Sequence, residues 1–162
     1  MTSVRDVSPA DAPAIVNIYN RFVSNSSVTF EENEVSDSEV TVRIAKTVAS
    51  YPWLVLEQGP DVIGYAYGSP FRERPAYRFT VETTIYLRFD AAGRGLGTRL
   101  YSELLARLRA QEFRSGIGVI ALPNEASVRL HEKLGFQKVA HLRNVGRKFD
   151  RWVDTGYWQL EF

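Results

Sequence analysis

The sequence of 162 residues contains no cysteine and only two histidines. The absence of cysteine excludes disulfide bridges, thiolate metal sites and a cysteine nucleophile. Two histidines are too few for a common protein-only zinc site, so we predict that the protein holds no metal. No apolar run reaches the roughly 18 to 20 residues that span a bilayer, so we expect no membrane-spanning segment.

The chain also lacks a net charge of either sign, because 20 basic residues face 19 acidic ones and the net charge is +1. This balance gives no broad field that would attract nucleic acid or an anionic membrane, so we expect neither as a partner. The opening segment MTSVRDVSPADAP has no basic stretch followed by an apolar one, as a signal peptide has, and a cytoplasmic location is expected.

Hydrophobic residues make up 44% and charged residues 24% of the chain, which is typical of a globular protein. The length predicts one domain over residues 1–162. Strand and helix signals alternate, with strands near residues 3–7, 53–69, 79–87 and 116–122 and in the tail, and with helices beginning at Ser8, Ser36, Leu96 and Asn124. This order predicts a single α/β domain with a central mixed, twisted sheet flanked by helices. The apolar tail residues Trp158, Leu160 and Phe162 fit either the core or an interface.

The stretch AAGRGLGTRLYSELLARL, residues 91–108, places glycines at 93, 95 and 97 directly before a leucine-rich amphipathic helix. Unobstructed backbone N–H groups at a helix N-terminus suit a phosphate or pyrophosphate. The spacing matches neither the dinucleotide fingerprint nor a nucleotide-triphosphate loop. From spacing alone, a tight turn that needs glycine for a positive φ explains the stretch equally well.

Glu82 lies in FTVETTIYL, an expected strand whose alternation places Thr80, Glu82, Thr84 and Tyr86 on one face. A carboxylate just before the glycine stretch is a candidate general base. Without further context, a simply solvated glutamate is the more frequent alternative.

The order of the strand FTVETTIYL, the loop LRFDAAGRGLG, the leucine helix, an apolar strand and an Asn-initiated helix ending in Gly-Phe resembles the GNAT superfamily of N-acetyltransferases. In that superfamily the loop pattern Gln/Arg-x-x-Gly-x-Gly/Ala binds the pyrophosphate of acetyl-coenzyme A. Here Ala92 occupies the first position, so the side chain of the pattern is missing while the backbone donors remain.

A closer resemblance, nearly end to end, is to the family of phosphinothricin and methionine sulfoximine N-acetyltransferases. The segments that carry it are YPWLVLE, AYRFTVETTIYL, GLGTRLYSELL, LPNEASVRLHEKLGF and KFDRWVDTGYWQLEF. This resemblance implies acetyl-CoA as co-substrate. The residues that it implies for cofactor binding are Ile85, Tyr86 and Leu87 by their backbone, Gly93, Arg94, Gly95, Leu96, Gly97 and Thr98 in the loop, and Asn124.

The resemblance further implies that Glu82 is the catalytic base, acting directly or through a water, because similar enzymes carry a glutamate in the same motif. His131 occupies the position of a tyrosine that protonates the coenzyme A thiolate in much of the superfamily, so we expect it to protonate the thiolate or to orient the substrate. The alternative for His131 is a packed histidine without a chemical role. Asn124 fits a helix N-cap as well as a cofactor contact.

The implied substrate is a small amino acid such as phosphinothricin or methionine sulfoximine, and herbicide resistance is an implied consequence. Arginine binds carboxylate or phosphinate bidentately, so Arg72 and Arg74 are candidates for an anion clamp. Phe30 and Tyr77 complete the expected substrate residues, and similar enzymes form homodimers whose partner approaches the active site. The alternative functions are acetylation of a peptide or protein amine and a non-catalytic acetyl-CoA-binding protein.

Overall fold

The computed structural model describes residues 1–162, which form seven strands and four α-helices. The strands are β1 (Thr2–Asp6), β2 (Trp53–Gln58), β3 (Asp61–Pro70), β4 (Thr80–Leu87), β5 (Ser115–Leu122), β6 (Gln137–Lys148) and β7 (Arg151–Glu161). The helices are α1 (Ala12–Asn25), α2 (Asp37–Val48), α3 (Leu96–Ala110) and α4 (Glu125–Lys133). The predicted α/β class is confirmed, and none of the helices is long and apolar enough to cross a membrane.

The strands form one mixed sheet in the order β1-β2-β3-β4-β5-β7-β6. Only the central pair, β4 and β5, is parallel, and its register runs from Thr80↔Ser115 to Glu82↔Ile117. Both strands continue for five further residues beyond this register without pairing with each other, although each stays paired with its other neighbour, β3 or β7. The sheet therefore opens into a cleft immediately after Glu82.

Each face of the sheet has its own hydrophobic core. The first contains the buried α3 residues Leu100, Leu104 and Leu108, and the second contains residues of α1 and α2 such as Ile15 and Ile44. The predicted alternation of β4 is confirmed, because Val81, Ile85 and Leu87 pack in the α3 core, whereas Tyr86 packs against the core on the α1 side. The tail residues at 158, 160 and 162 belong to the α3 core, so the core interpretation of the tail is the right one.

Local signals place two of the helix starts. Ser36 and Glu39 form the predicted capping box, in which the Ser36 N–H donates to the Glu39 carboxylate at 2.7 Å. The helix expected at Ser8 begins instead as a 3-10 turn over Pro9–Asp11, and α1 starts at Ala12. Pro13 gives the reason, because proline fits only the first turn of an α-helix and so fixes where the regular helix can begin.

The hairpin of β6 and β7 contains a strand, β6, that the sequence pattern does not predict. β6 is an edge strand whose residues are mostly exposed, and its register against β7 shifts twice. Its sequence therefore has no regular alternation of apolar residues. The two turn residues Phe149 and Asp150 both have positive φ, at 51° and 57°, a conformation usually signalled by Asn-Gly.

Candidate active site

The cleft between β4 and β5 contains a cavity of about 250 Å³, here called the Glu82 cavity. Its walls come from β4, β5, α4, Thr155 of β7 and the segment between α1 and α2. The lining residues are Val28, Thr29, Phe30, Glu82, Thr83, Thr84, Ile85, Tyr86, Val119, Ile120, Ala121, Asn124, Ser127, His131 and Thr155. The structure thus brings the two expected catalytic residues and Phe30 to one cavity.

Glu82 is the last residue of β4 that pairs with β5, so its side chain stands where the cleft opens. Its carboxylate forms no hydrogen bond within the chain, and the residue is half-buried. Burial raises the pKa of the Glu82 carboxyl above its ordinary value, because desolvation disfavours the charged form. A carboxylate with unused acceptor oxygens and a raised pKa is suited to accept a proton from a bound molecule.

His131 lies at the end of a buried hydrogen-bonded chain. Its ring is 4% exposed, and its Nδ1 lies 2.8 Å from the carbonyl oxygen of Ser127, one turn earlier in α4. Its Nε2 lies 2.9 Å from the hydroxyl of Tyr101, which in turn lies 2.6 Å from Oγ1 of Thr83. Helix α4 is thereby connected to α3 and to the middle of β4.

The partners of His131 determine its tautomer. The Ser127 carbonyl can only accept, so Nδ1 carries the proton and Nε2 accepts from the Tyr101 hydroxyl. Burial lowers the pKa of His131, although the Ser127 carbonyl opposes this shift. His131 is therefore a neutral imidazole whose two nitrogens are both used within the protein.

A second cavity of about 570 Å³, here called the glycine-loop groove, adjoins the first. It is lined by Phe22, Val28, Ile85, Tyr86, Leu87, Phe89, Ala92, Gly93, Gly95, Gly97, Thr98, Asn124, Ala126, Ser127, Arg129, Leu130 and Lys133. Five lining residues are common to both cavities, namely Val28, Ile85, Tyr86, Asn124 and Ser127. A molecule bound along the groove would therefore meet the Glu82 cavity at the shared residues.

The three alternate glycines have different structural roles. Gly93 and Gly95 have positive φ, at 75° and 74°, which bends the chain into the start of α3. Gly97 instead allows close packing, because a Cβ there would lie 3.1 Å from Cδ1 of Leu87. The interpretation of the stretch as a tight turn that needs glycine is thus confirmed. The same loop also has backbone N–H groups that are free to bind a ligand.

The backbone N–H groups of residues 93–98 form no hydrogen bond within the chain, and the first helical bond of α3 is donated by Arg99 to Gly95 at 3.2 Å. These six donors stand at the positive end of the α3 dipole, and four of their residues, Gly93, Gly95, Gly97 and Thr98, line the groove. Such an arrangement suits a bound anion, and it includes every predicted residue of the loop.

β4 also presents backbone groups to the cleft. The N–H of Arg88, just after β4, donates to the carbonyl of Ile63 of β3 at 2.8 Å. The N–H and C=O groups of successive residues in a strand point to opposite sides, so those of the even-numbered residues of β4 point toward β3. The N–H and C=O groups of Ile85 and Leu87 therefore point into the cleft. The backbone of Tyr86, predicted to act in the same way, faces β3, and only its side chain reaches the groove.

The charged residue predicted for the glycine loop, Arg94, is not among the residues that line the groove. Its guanidinium extends instead toward Gln58 of β2 at 3.5 Å. The lining cations are Arg129 and Lys133 of α4, which sequence reasoning missed. Their i, i+4 spacing on the helix after Asn124 is a signal that could have identified them once α4 was placed opposite the loop.

Asn124 has a confirmed structural role. Its Oδ1 accepts from the Ser127 N–H at 3.2 Å, so it is the N-cap of α4. The residue also lines both cavities, and a contact with a bound cofactor remains a prediction.

The remaining expected substrate residues are separated in the single chain. Phe30 lines the Glu82 cavity, whereas Arg72, Arg74 and Tyr77 do not. All eight residues from 72 to 79 are exposed, and Arg72 stacks on the ring of Phe71 at 5.0 Å. The loop containing the two arginines therefore lies at the Glu82 end of the sheet but outside the cavity.

Comparison with known proteins matches residues 4–156 to the acetyltransferase (GNAT) domain family. The phosphinothricin N-acetyltransferase of Streptomyces viridochromogenes is 40% identical over 159 residues, which cover 98% of this chain and 87% of that protein. The L-methionine sulfoximine/L-methionine sulfone acetyltransferase of Pseudomonas paraeruginosa is 37% identical, with coverage of 98% and 93%. The crystal structure of a phosphinothricin acetyltransferase from Sinorhizobium meliloti in complex with AcCoA gives a TM-score of 0.96 at 40% identity and covers 99% of this chain and 88% of that one.

Proposed function

The chain belongs to the GNAT acetyltransferase family, and we propose that it transfers acetyl from acetyl-CoA to the amino group of a small amino-acid-like substrate held in the Glu82 cavity. The observation that carries the proposal is the junction of two cavities, one with a free carboxylate and the other with free backbone N–H groups. Phosphinothricin and methionine sulfoximine, which appear in the names of the relatives, are the first substrates to test.

The groove fits acetyl-CoA by the chemistry of its donors. The N–H groups of residues 93–98 suit the pyrophosphate, and Arg129 and Lys133 add positive charge for a phosphorylated ligand. Ile85 and Leu87 offer backbone groups to an amide-containing arm, in the manner of an added strand. When bound, acetyl-CoA supplies an activated acetyl thioester.

Glu82 is the proposed general base. An α-amino group with a pKa of about 8 is only about one-tenth neutral at pH 7, so most substrate molecules must lose a proton before the amine can attack the thioester. The free carboxylate of Glu82 can accept that proton directly or through a water. Because the chain contains no cysteine to carry an acetyl group, we propose that the amine attacks the thioester carbonyl directly: the C–N bond forms, the C–S bond breaks, and coenzyme A leaves as a thiolate that takes up a proton from solvent.

We propose that His131 holds α4 in position and does not protonate the departing coenzyme A thiolate. As a neutral imidazole whose only N–H donates to Ser127, it has no free proton for a departing thiolate. Its hydrogen bonds fix α4 against Tyr101 of α3, and α4 supplies residues to both cavities. Ser127, which lines both, is positioned directly by this arrangement.

The resemblance also leads us to propose a homodimer in which the loop at 71–79 reaches the partner's Glu82 cavity. The exposure of Arg72 and Arg74 in the single chain supports this arrangement, and so does the aromatic residue Phe79, which is 49% exposed. Mixing Glu82→Gln chains with Arg72→Ala/Arg74→Ala chains would then restore activity in hybrid dimers. Hybrids no more active than the two parents would refute the shared site.

The proposed activity is tested by thiol release from acetyl-CoA with a panel of free amino acids, phosphinothricin, methionine sulfoximine and a short peptide. Turnover of one or more amino acids above the peptide is expected, because the Glu82 cavity holds only about 250 Å³. Preference for the peptide would favour protein acetylation, and cofactor binding without turnover would indicate a non-catalytic protein. Herbicide resistance and a cytoplasmic location stay predictions from the sequence.

A further inference from the structure

The segment between α1 and α2, residues 26–35, lines the Glu82 cavity although it has no regular structure. Val28, Thr29 and Phe30 reach the cavity. No backbone–backbone hydrogen bond involves residues 27–35, and the bonds made within the segment are two, from the N–H groups of Val28 and Glu31 to the hydroxyls of Ser26 and Thr29. Side chains of other elements supply the remaining attachments.

Helices α1 and α2 attach one side of this segment. Asn20 exchanges two hydrogen bonds of 2.9 Å with the backbone of Val35. The hydroxyl of Tyr19 lies 2.7 Å from Oγ1 of Thr29 and also donates to Glu31, which forms a two-nitrogen ion pair with Arg43. These attachments come from residues that are near in sequence, 10 to 15 positions away.

The other side is attached by β6, more than a hundred residues later in the chain. Lys148 donates from Nζ to the carbonyl oxygen of Thr29 at 2.9 Å and is only 3% exposed. The ring of Phe30 lies on Gly146, where an added Cβ would come within 2.4 Å of ring carbons. One strand thus holds two consecutive residues of the cavity wall.

Burial of a lysine at position 148 has a cost in stability, because the ammonium loses hydration. The ammonium lies 5.2 Å from the centre of the Phe149 ring, but only one of its three donors has a hydrogen-bond acceptor in the chain, the carbonyl of Thr29. Burial lowers the pKa of Lys148, while the nearby carboxylates of Glu31 and Glu32 favour its charged form. An apolar side chain of similar length would fill the same space without that cost. What lysine provides and an apolar side chain does not is the hydrogen bond that fixes the carbonyl of Thr29.

We infer that Lys148 and Gly146 are positioning residues for the acceptor substrate, holding Thr29 and Phe30 in place as one wall of the Glu82 cavity. The inference rests on the proposed function for the identity of the substrate, but not for the contact itself. Thr29 and Phe30, the residues they hold, line the Glu82 cavity but not the glycine-loop groove, so the main effect is expected on the acceptor side.

Lys148→Met removes the donor and keeps the length of the side chain. We expect the KM for the amino-acid substrate to rise about tenfold, which corresponds to about 1.4 kcal/mol, with the KM for acetyl-CoA changed less than twofold. Lys148→Arg, which keeps a charged donor, should recover part of the loss. Arg151→Met, an exposed cation of the adjacent strand, is the matched control and should leave both constants unchanged.

Hydrogen exchange separates this inference from the proposed function, because it needs no substrate. Lys148→Met should speed deuterium uptake severalfold in a peptide covering residues 26–35, in which the N–H groups of Val28, Glu31 and Val35 are hydrogen-bonded, and leave a peptide covering residues 100–108 of α3 unchanged. Gly146→Ala, which displaces only the Phe30 ring, should do the same to a smaller degree. Uptake in 26–35 equal to that of the unmodified protein, or an equal rise of both KM values, would overturn the inference. If no amino acid is turned over, the proposed function fails and the exchange result still decides this one.

Discussion

The two halves of the site are built in different ways. The glycine-loop groove relies on backbone N–H groups from six consecutive residues at the start of α3. The Glu82 cavity relies on side chains from β4, β5, α4, β7 and the 26–35 segment, which is itself fixed by β6. A site made of backbone depends on local conformation, whereas a site made of side chains depends on the whole fold. Substitutions should therefore act differently in the two halves.

The largest effect is expected at Glu82, the one side chain to which we assign proton transfer. Glu82→Gln keeps the size and removes the base, and general base catalysis is typically worth about 10²- to 10⁴-fold. We expect kcat to fall within that range while the affinity for acetyl-CoA, measured by thermal shift, stays within twofold. Glu161→Gln, an exposed glutamate of β7, is the control. An unchanged kcat at neutral pH would remove Glu82 as the base.

The same residue predicts the acid side of the pH profile. Glu82 must be ionised to accept a proton, and burial raises its pKa, so the carboxylate is lost at a higher pH than an ordinary glutamate would allow. As the pH falls through this raised pKa, kcat/KM should fall with it. The limb should be missing from the residual activity of Glu82→Gln, and its persistence there would assign it to another group.

A substitution in the glycine loop tests whether backbone conformation alone accounts for the binding of acetyl-CoA in the glycine-loop groove. Gly95→Ala places a Cβ at a φ of 74°, which costs about 1–2 kcal/mol per residue. We expect the Kd for acetyl-CoA to rise about tenfold, because the loop relaxes away from the conformation that aligns its N–H groups. The KM for the amino acid should stay unchanged.

Gly59→Ala is the matched control for that experiment. Gly59 has a similar φ of 59° with open space around it, but it lies in the β2–β3 turn and does not line the groove. Both variants should lose similar stability in a denaturant titration, and only Gly95→Ala should lose affinity. Equal losses of affinity would mean that strain, rather than the loop, explains the result.

The difference between the glycine-loop groove and the Glu82 cavity also explains which parts of the site could be predicted from the sequence. The glycine stretch, the cap at Asn124 and the alternation around Glu82 are local signals, and the structure has them where the patterns place them. β6 gave no such signal, because an irregular exposed edge strand needs no alternation. Lys148 could not be identified either, since its partner Thr29 is 119 residues away and is reached only through the fold.

Tyr101→Phe tests the connection between α3 and α4 behind both halves. The change leaves Nε2 of His131 buried without a donor, and an unsatisfied buried acceptor costs about 1–3 kcal/mol of unfolding free energy. We expect that loss in denaturant titration and a fall of kcat by roughly three- to tenfold, since α4 loses an attachment. Tyr51→Phe, whose hydroxyl forms no hydrogen bond within the chain, should leave both quantities nearly unchanged. A full loss of kcat would instead favour a proton-transfer role for this pair.

The smallest effect is expected at Ala92, where the loop departs from the family pattern of glutamine or arginine. Ala92 is exposed at the rim of the groove, and six backbone donors are already present without its side chain. A positive charge added there would gain about 0.5 kcal/mol from an exposed contact with a bound anion, as exposed ion pairs typically do. Ala92→Arg should therefore tighten the binding of acetyl-CoA by no more than about threefold. A tightening of a hundredfold would show that the groove depends on a side chain after all, and the difference between the two halves of the site would disappear.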